Sequence, residues 1–147
     1  MLFKRISRAS AETVFLVAKN VSGSTITAGY SCVFDVGASV DGVRVTQMSA
    51  VDLGAYAGVA DSDIANGAYG LIQVYGYRAT VYIKHAADSS TYTSGSGLDP
   101  TADVWSLAPS AVAGGDKQFA FLCETLSDSG DTSSAYSANF KGFIRAL

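Results

Sequence analysis

Hydrophobic and polar residues alternate over short stretches of this chain, which is a pattern typical of β-strands. The clearest case lies at 77–84, where odd positions carry Tyr, Ala, Val and Ile and even positions carry Arg, Thr, Tyr and Lys. Because successive side chains of a strand point to opposite faces, this alternation predicts a half-buried strand. The segment at 13–19 is apolar on both faces. Further strands are predicted at 30–36, 42–46, 69–75, 118–125 and 138–146.

Turn signals separate these strands at short intervals. The dipeptide Asn66-Gly67 is a strong one, Gly76 divides two predicted strands, and residues 127–134 are rich in Ser, Asp and Gly. Short strands at this spacing predict a mostly β fold, a single small antiparallel β-barrel or β-sandwich. No repeat recurs at a fixed period, so a solenoid or propeller is disfavoured and one domain is the simplest account.

Two segments lack strand periodicity. Residues 1–11 are basic, with Lys4, Arg5 and Arg8, and are predicted to form an extended N-terminal arm ahead of a β-rich domain at 12–147. Residues 86–117 are rich in Ser, Asp, Gly and Pro and are predicted to form a long surface loop held in place by Trp105. Because long loops are often functional, this loop is a candidate contact surface.

Composition and charge narrow the class of protein. Hydrophobic residues make up 48% of the 147 residues and charged residues 16%, which favours one packed, ordered core. The net charge of −3 and the isoelectric point near 4.9 provide no broad basic field. Because phosphate neutralisation supplies most of the affinity for nucleic acid, a nucleic-acid partner is not expected.

Membrane insertion and export are not expected either. No apolar run is longer than the five residues at 14–18, which is short of the roughly 20 residues of a membrane helix and of the roughly 7 to 15 of a signal peptide. The two cysteines, Cys32 and Cys123, lie in apolar, strand-like surroundings without metal-site spacing. Buried free thiols are therefore expected, and a disulfide between them stays open.

Catalytic and metal-binding patterns are weak. The single histidine, His85, ends a predicted strand and is interpreted as a surface or capping residue, because no nucleophile motif such as G-x-S-x-G accompanies it. The oxygen-rich stretch 61–67 lacks the closing Glu of a calcium loop and is interpreted as a turn. We therefore expect no enzymatic activity, no cofactor and no metal.

The central part of the chain contains, in order, Gly58-Val59-Ala60, a short acidic turn, Gly67, a strand and Gly76, and an earlier turn lies at 20–29. In this order the segments resemble the capsid cement and head-decoration proteins of tailed phages. The resemblance covers roughly residues 13 to 84, about half of the chain. The resemblance implies a small β-barrel or sandwich without enzymatic activity that attaches to capsid symmetry axes, often as a trimer.

The function expected on this basis is that of a virion structural protein, made in the host bacterial cytoplasm, that binds the exterior of the assembled phage capsid and stabilises it. Its expected partners are the major capsid protein and further copies of itself. The alternative is a carbohydrate- or receptor-binding β module of a phage fibre or tail that stacks ligands on Tyr92 and Trp105. The candidate capsid or subunit contacts are Lys4, Arg5, Arg8, Tyr92 and Trp105.

Overall fold

Nine β-strands form the regular structure of the computed structural model, which describes residues 12–37, 42–85, 91–102, 104–110, 118–127 and 136–146. The one helical element among these residues is a 3₁₀ turn at Leu53–Ala55. The mostly β fold predicted from the sequence is therefore confirmed. The strands are β1 (Val14–Asn20), β2 (Ser31–Phe34), β3 (Arg44–Thr46), β4 (Tyr56–Ala60), β5 (Tyr69–His85), β6 (Gly97–Pro100), β7 (Leu107–Pro109), β8 (Ala120–Leu122) and β9 (Tyr136–Arg145).

The strands pair as one sheet that closes on itself twice around β5. Ring A consists of β1, β3, β2, β4 and the first part of β5, which pairs back onto β1. Ring B consists of the second part of β5, β7, β6, β8 and β9, which pairs back onto β5. The barrel-like closure agrees with the prediction, but the sheet is mixed, because β1–β3 and β5–β7 are parallel pairs.

Strand β5 is continuous where the sequence predicted two strands divided by Gly76. This glycine has φ +106°, and a Cβ atom there would overlap the carbonyl oxygen of Glu12. The absent side chain lets the segment ahead of β1 cross β5 closely, so the strand passes through Gly76 and serves both rings.

A bulge in β5 also changes which side chains are buried. The pairing of β5 with β9 shifts register between Arg78 and Val81. The alternation in the sequence placed Tyr77 and Val81 on one face and Arg78 on the other, whereas the structure exposes Tyr77 and buries both Arg78 and Val81. An extra residue at a bulge moves the following side chains to the other face, and sequence periodicity alone does not reveal it.

The two rings are topological copies of each other. Ile26 forms an isolated antiparallel bridge with Ile64 beside ring A, and Tyr92 forms the same bridge with Leu126 beside ring B. The turns at 25–29 and 91–95 share the pattern T-x-T-x-G, and both glycines have positive φ, +88° and +94°. Equivalent residues are 66 apart for Ile26 and Tyr92 but 62 apart for Ile64 and Leu126, so no fixed period reveals the copies.

The core lies in two clusters separated by β2 and β4. Ala57 and Ala60 of β4 point into the ring A cluster, whereas Tyr56 and Val59 point into the larger cluster shared with ring B. Every residue of β4 is consequently buried. This arrangement places β4 between two hydrophobic layers and leaves the outer side of β1 and β5 uncovered.

The prediction of a long surface loop at 86–117 is wrong for the described part of that segment. It contains β6 and β7, and Leu98 and Leu107 are fully buried in the larger cluster. These strands are only four and three residues long, too short to produce a clear alternation in the sequence. The predicted arm at 1–11 lies outside the described residues.

Both cysteines are free, as expected, but they differ in exposure. Cys32 is fully buried and Cys123 is partly exposed. Burial raises the pKa of Cys32 to about 12, and partial burial next to Glu124 also raises the pKa of Cys123. Because only the thiolate reacts and a reagent must also reach it, Cys32 should be much less reactive than Cys123.

We expect a disulfide reagent such as Ellman's reagent to modify Cys123 of the native protein at pH 8 and to leave Cys32 unmodified until the protein is unfolded. Counting released chromophore before and after adding denaturant checks this, with Cys123→Ser as the control. Rapid modification of Cys32 in the native Cys123→Ser protein would contradict the structure.

Candidate interaction surface

Of the predicted contact residues, the structure describes Tyr92 and Trp105, which pack against different core clusters. Lys4, Arg5 and Arg8 lie outside the described residues. Tyr92 is half-buried against the larger cluster, with its ring edge-on to His85 at 5.4 Å. His85 is fully buried, so its interpretation as a surface residue is wrong. The interpretation took the end of the strand as exposed, although the alternation places residue 85 on the same face as Val81 and Ile83, and that face is buried.

Trp105 is an anchor, as expected, but of ring A. Its ring stacks on Tyr30 at 5.8 Å, and its carbonyl accepts a hydrogen bond of 2.9 Å from the Ser31 amide. Tyr30 also packs against Tyr82, with 4.9 Å between the ring centroids. Trp105 and Tyr92 therefore pack against different core clusters and do not share a stacking surface.

The oxygen-rich turn at 61–67 uses its oxygens within the protein. Asp63 accepts a hydrogen bond of 2.8 Å from the Ala28 amide, and Asn66 accepts one of 3.0 Å from the Gly23 amide. Asp61 forms an ion pair with Arg78. These bonds support the interpretation as a turn, and the described residues contain no group of three or more His, Cys, Asp or Glu placed to hold a metal ion.

A set of large hydrophobic side chains lies exposed on the outer side of β1 and β5. Val17 is 60% exposed and lies opposite Leu71 in the ladder, and Tyr69, at 63%, lies opposite Lys19. Regular strand pairing holds these side chains on a well-defined backbone. We call this set the apolar face, and it comprises Phe15, Val17, Tyr69, Leu71, Tyr75 and Tyr77.

Aromatic packing extends this surface into ring B. Tyr75 meets Phe143 edge-on, with 5.1 Å between ring centroids, and Phe143 stacks on Phe121, also at 5.1 Å and within 9° of parallel. Phe143 also lies opposite Tyr77 in the β5–β9 ladder. The rings of Tyr75, Phe143 and Phe121 thus form a row across β5, β9 and β8. Their arrangement is fixed, since neighbouring rings restrict one another.

Comparison of the two rings shows that the scaffold does not require these apolar residues. The ladder pairs Ala18–Gly70 and Lys19–Tyr69 of ring A correspond to Val81–Phe140 and Tyr82–Asn139 of ring B. By the same correspondence, Val17, Tyr69 and Leu71 match the exposed polar residues Thr80, Asn139 and Lys141. The apolar side chains in ring A therefore call for an explanation other than folding.

The sequence contained one signal of this surface. The segment 13–19 was predicted as a strand that is apolar on both faces, which normally indicates burial on both faces. The structure buries Ala18 and leaves Val17 open. The sequence analysis interpreted this apolar strand only as part of the core. In the structure one of its two faces is uncovered.

A comparison with models of known protein families finds no match to this chain, and a comparison with curated proteins finds none either. Within the described ranges, no helix is long and apolar enough to cross a membrane. The functional argument therefore depends on the surface itself.

Proposed function

We propose that this chain is a virion structural protein, without enzymatic activity, that attaches to the exterior of the assembled phage capsid and stabilises it. The observation that carries the proposal is the apolar face. Its six side chains are 36–63% exposed and leave on the order of 500 Å² of apolar surface open, taking about 150–250 Å² for each aromatic side chain. The largest apolar patch of a protein, commonly about 300–600 Å², is often functional.

The form of the surface favours a large protein partner. Paired strands present the side chains side by side, which suits another protein surface better than a small ligand enclosed in a pocket. The open area approaches the roughly 800 Å² that each partner contributes to an ordinary interface. The resemblance to cement proteins adds the class of partner, the major capsid protein in its assembled form.

Stabilisation of the shell follows from selective binding. A subunit that binds the assembled capsid but not free coat protein shifts the equilibrium toward the shell by mass action. The basic residues Lys4, Arg5 and Arg8 and the self-association implied by the resemblance remain predictions.

We expect the double substitution Val17→Thr with Leu71→Thr to weaken capsid binding by about tenfold or more, because central apolar contacts dominate interface energies. The measurement is cosedimentation of the purified chain with capsids that lack it, with unassembled coat protein as the comparison. Thermal unfolding of the variant should change little, since both side chains are exposed.

The matched control is Thr80→Ala, because Thr80 is the ring B counterpart of Val17. It should bind as tightly as the unaltered protein. Equal binding by the double variant would remove the apolar face from the interface, and no binding by the unaltered chain to assembled capsids would refute the capsid proposal.

The alternative function, a carbohydrate- or receptor-binding module, is favoured by a different observation. Tyr30, Tyr82 and Trp105 form a half-buried aromatic group, and such rings can stack on sugars. This alternative predicts saturable glycan binding by the isolated protein, lost in Trp105→Ala and retained in the double variant of the apolar face. A glycan array beside the cosedimentation assay separates the two functions.

A further inference from the structure

Positive charge is concentrated on the strands that carry the apolar face. Strands β1, β5 and β9 contain five of the ten Lys and Arg residues of the chain and none of its thirteen Asp and Glu residues. The chain as a whole has a net charge of −3. Arg78 is buried and paired with Asp61, and Lys141 is paired with Glu124, so the excess positive charge on the surface of these strands comes from Lys19, Lys84 and Arg145. The five cations are Lys19, Arg78, Lys84, Lys141 and Arg145.

Two of these cations flank the apolar face without an acidic partner in the part of the chain that the structure describes. Lys19 lies opposite Tyr69 in the ladder, with its Nζ 6.0 Å from the centroid of the tyrosine ring. Arg145 lies opposite Tyr75, and its Nε donates a hydrogen bond of 2.8 Å to the carbonyl of Gln118. Among the described residues, neither side chain forms an ion pair, whereas Arg78 and Lys141 do.

We infer that the apolar face docks on a partner protein whose surface combines an apolar centre with carboxylates that pair with Lys19 and Arg145. This inference rests on the proposed function and specifies the chemistry of the docking site. Complementary charge around an apolar centre steers the encounter and selects the partner. A cation held over an aromatic ring keeps its charge available to an approaching carboxylate.

The same charges argue against a second copy of this chain meeting the face symmetrically. In a two-fold symmetric contact the same patch lies on both sides, so the cations of one copy would face those of the other. Like charges brought together in an apolar interface oppose association.

The test is charge reversal at both positions, Lys19→Glu with Arg145→Glu, in the cosedimentation assay. We expect capsid affinity to fall by about tenfold or more, and the affinity of the unaltered protein to decrease as salt screens the pairs. The double variant Lys19→Gln with Arg145→Gln, which removes both charges, should lose an intermediate amount of capsid affinity. It keeps the inference testable if the charge-reversed variant does not fold. The control is Lys84→Glu, which changes a cation of β5 away from the apolar face and should leave affinity within about twofold.

A second probe keeps the inference testable if capsids do not bind. Carboxylate-modified polystyrene beads present an apolar surface with carboxylates, and amine-modified beads present the opposite charge. The unaltered protein should prefer the carboxylated beads, and the charge-reversed variant should lose that preference while Lys84→Glu keeps it.

The outcomes separate the two proposals. Capsid binding that is lost in the Val17→Thr, Leu71→Thr variant but unchanged by charge reversal would overturn the carboxylate inference and leave the capsid function standing. Failure of the unaltered protein to bind capsids would overturn the proposed function. Binding to the two kinds of bead would then still test whether the apolar face prefers a surface that carries carboxylates. Self-association that sedimentation velocity detects and that the Val17→Thr, Leu71→Thr variant abolishes would identify a second copy as the occupant and overturn the inference.

Discussion

Replacing Gly58 by alanine should lower the free energy of unfolding by about 4 kcal/mol or more, or prevent folding altogether. Gly58 has φ +138°, which side chains rarely adopt, and a Cβ atom there would overlap the carbonyl oxygen of Gln73 and lie 2.9 Å from Cγ2 of Ile72. The obstructing oxygen belongs to the backbone of β5, so relief requires β4 and β5 to separate. Because β4 lies between the two core clusters, that movement would disturb both.

Urea denaturation followed by circular dichroism measures this loss, and Gly67→Ala is the matched control. Gly67 also has a positive φ, +80°, but nothing lies within 4 Å of the position of its Cβ. Its substitution should therefore cost only the left-handed backbone strain, about 1–2 kcal/mol. Equal losses in the two variants would show that backbone conformation, and not the close approach of β4 to β5, explains Gly58.

The substitution Asp61→Ala should lower the free energy of unfolding by about 2–3 kcal/mol, because it leaves the charge of Arg78 unpaired inside the protein. The side chain of Arg78 is only 8% exposed, and its Nη1 lies 3.0 Å from Asp61 Oδ1. The same nitrogen donates to Gln73 Oε1, and Nε donates to the Thr80 carbonyl. This expected loss of stability is smaller than the loss for a fully buried ion pair, because the side chain of Asp61 is 42% exposed.

The free energy of unfolding from denaturant titration checks this prediction, with Glu124→Ala as the control. Glu124 and Lys141 form an ion pair of 3.1 Å at the surface, and exposed pairs contribute little to stability. We expect Asp61→Ala to be clearly the more destabilising of the two. A loss as small as that of the surface pair would mean that water reaches Arg78 and replaces its partner.

Several features of the protein could be predicted from residue types and their spacing along the sequence. The alternation of side chains predicted a β protein, because a two-residue period is a property of the strand itself. The apolar, strand-like surroundings of Cys32 and Cys123 and their spacing predicted free thiols, and both cysteines are free. The dipeptide Asn66-Gly67 predicted a turn, and Gly67 lies in a turn with φ +80°.

Other features depend on contacts between distant residues. Hydrophobic periodicity shows that a segment is a strand, but it does not show which strand it pairs with. The continuity of β5 depends on Glu12, which crosses at Gly76, and the burial of Arg78 depends on a bulge and on Asp61. The strands at 97–100 and 107–109 are stable because ring B closes around Leu98 and Leu107, not because of local pattern.

The apolar face shows the same division between sequence and tertiary structure. Residue type and spacing are enough to predict that the segment 13–19 is a strand rich in apolar side chains. Contacts with other strands were needed to show that Ala18 is buried while Val17, Tyr69 and Leu71 are exposed. The physical reason is that exposure depends on whether another layer covers a strand, and β2 and β4 receive such a layer from ring B whereas β1 does not.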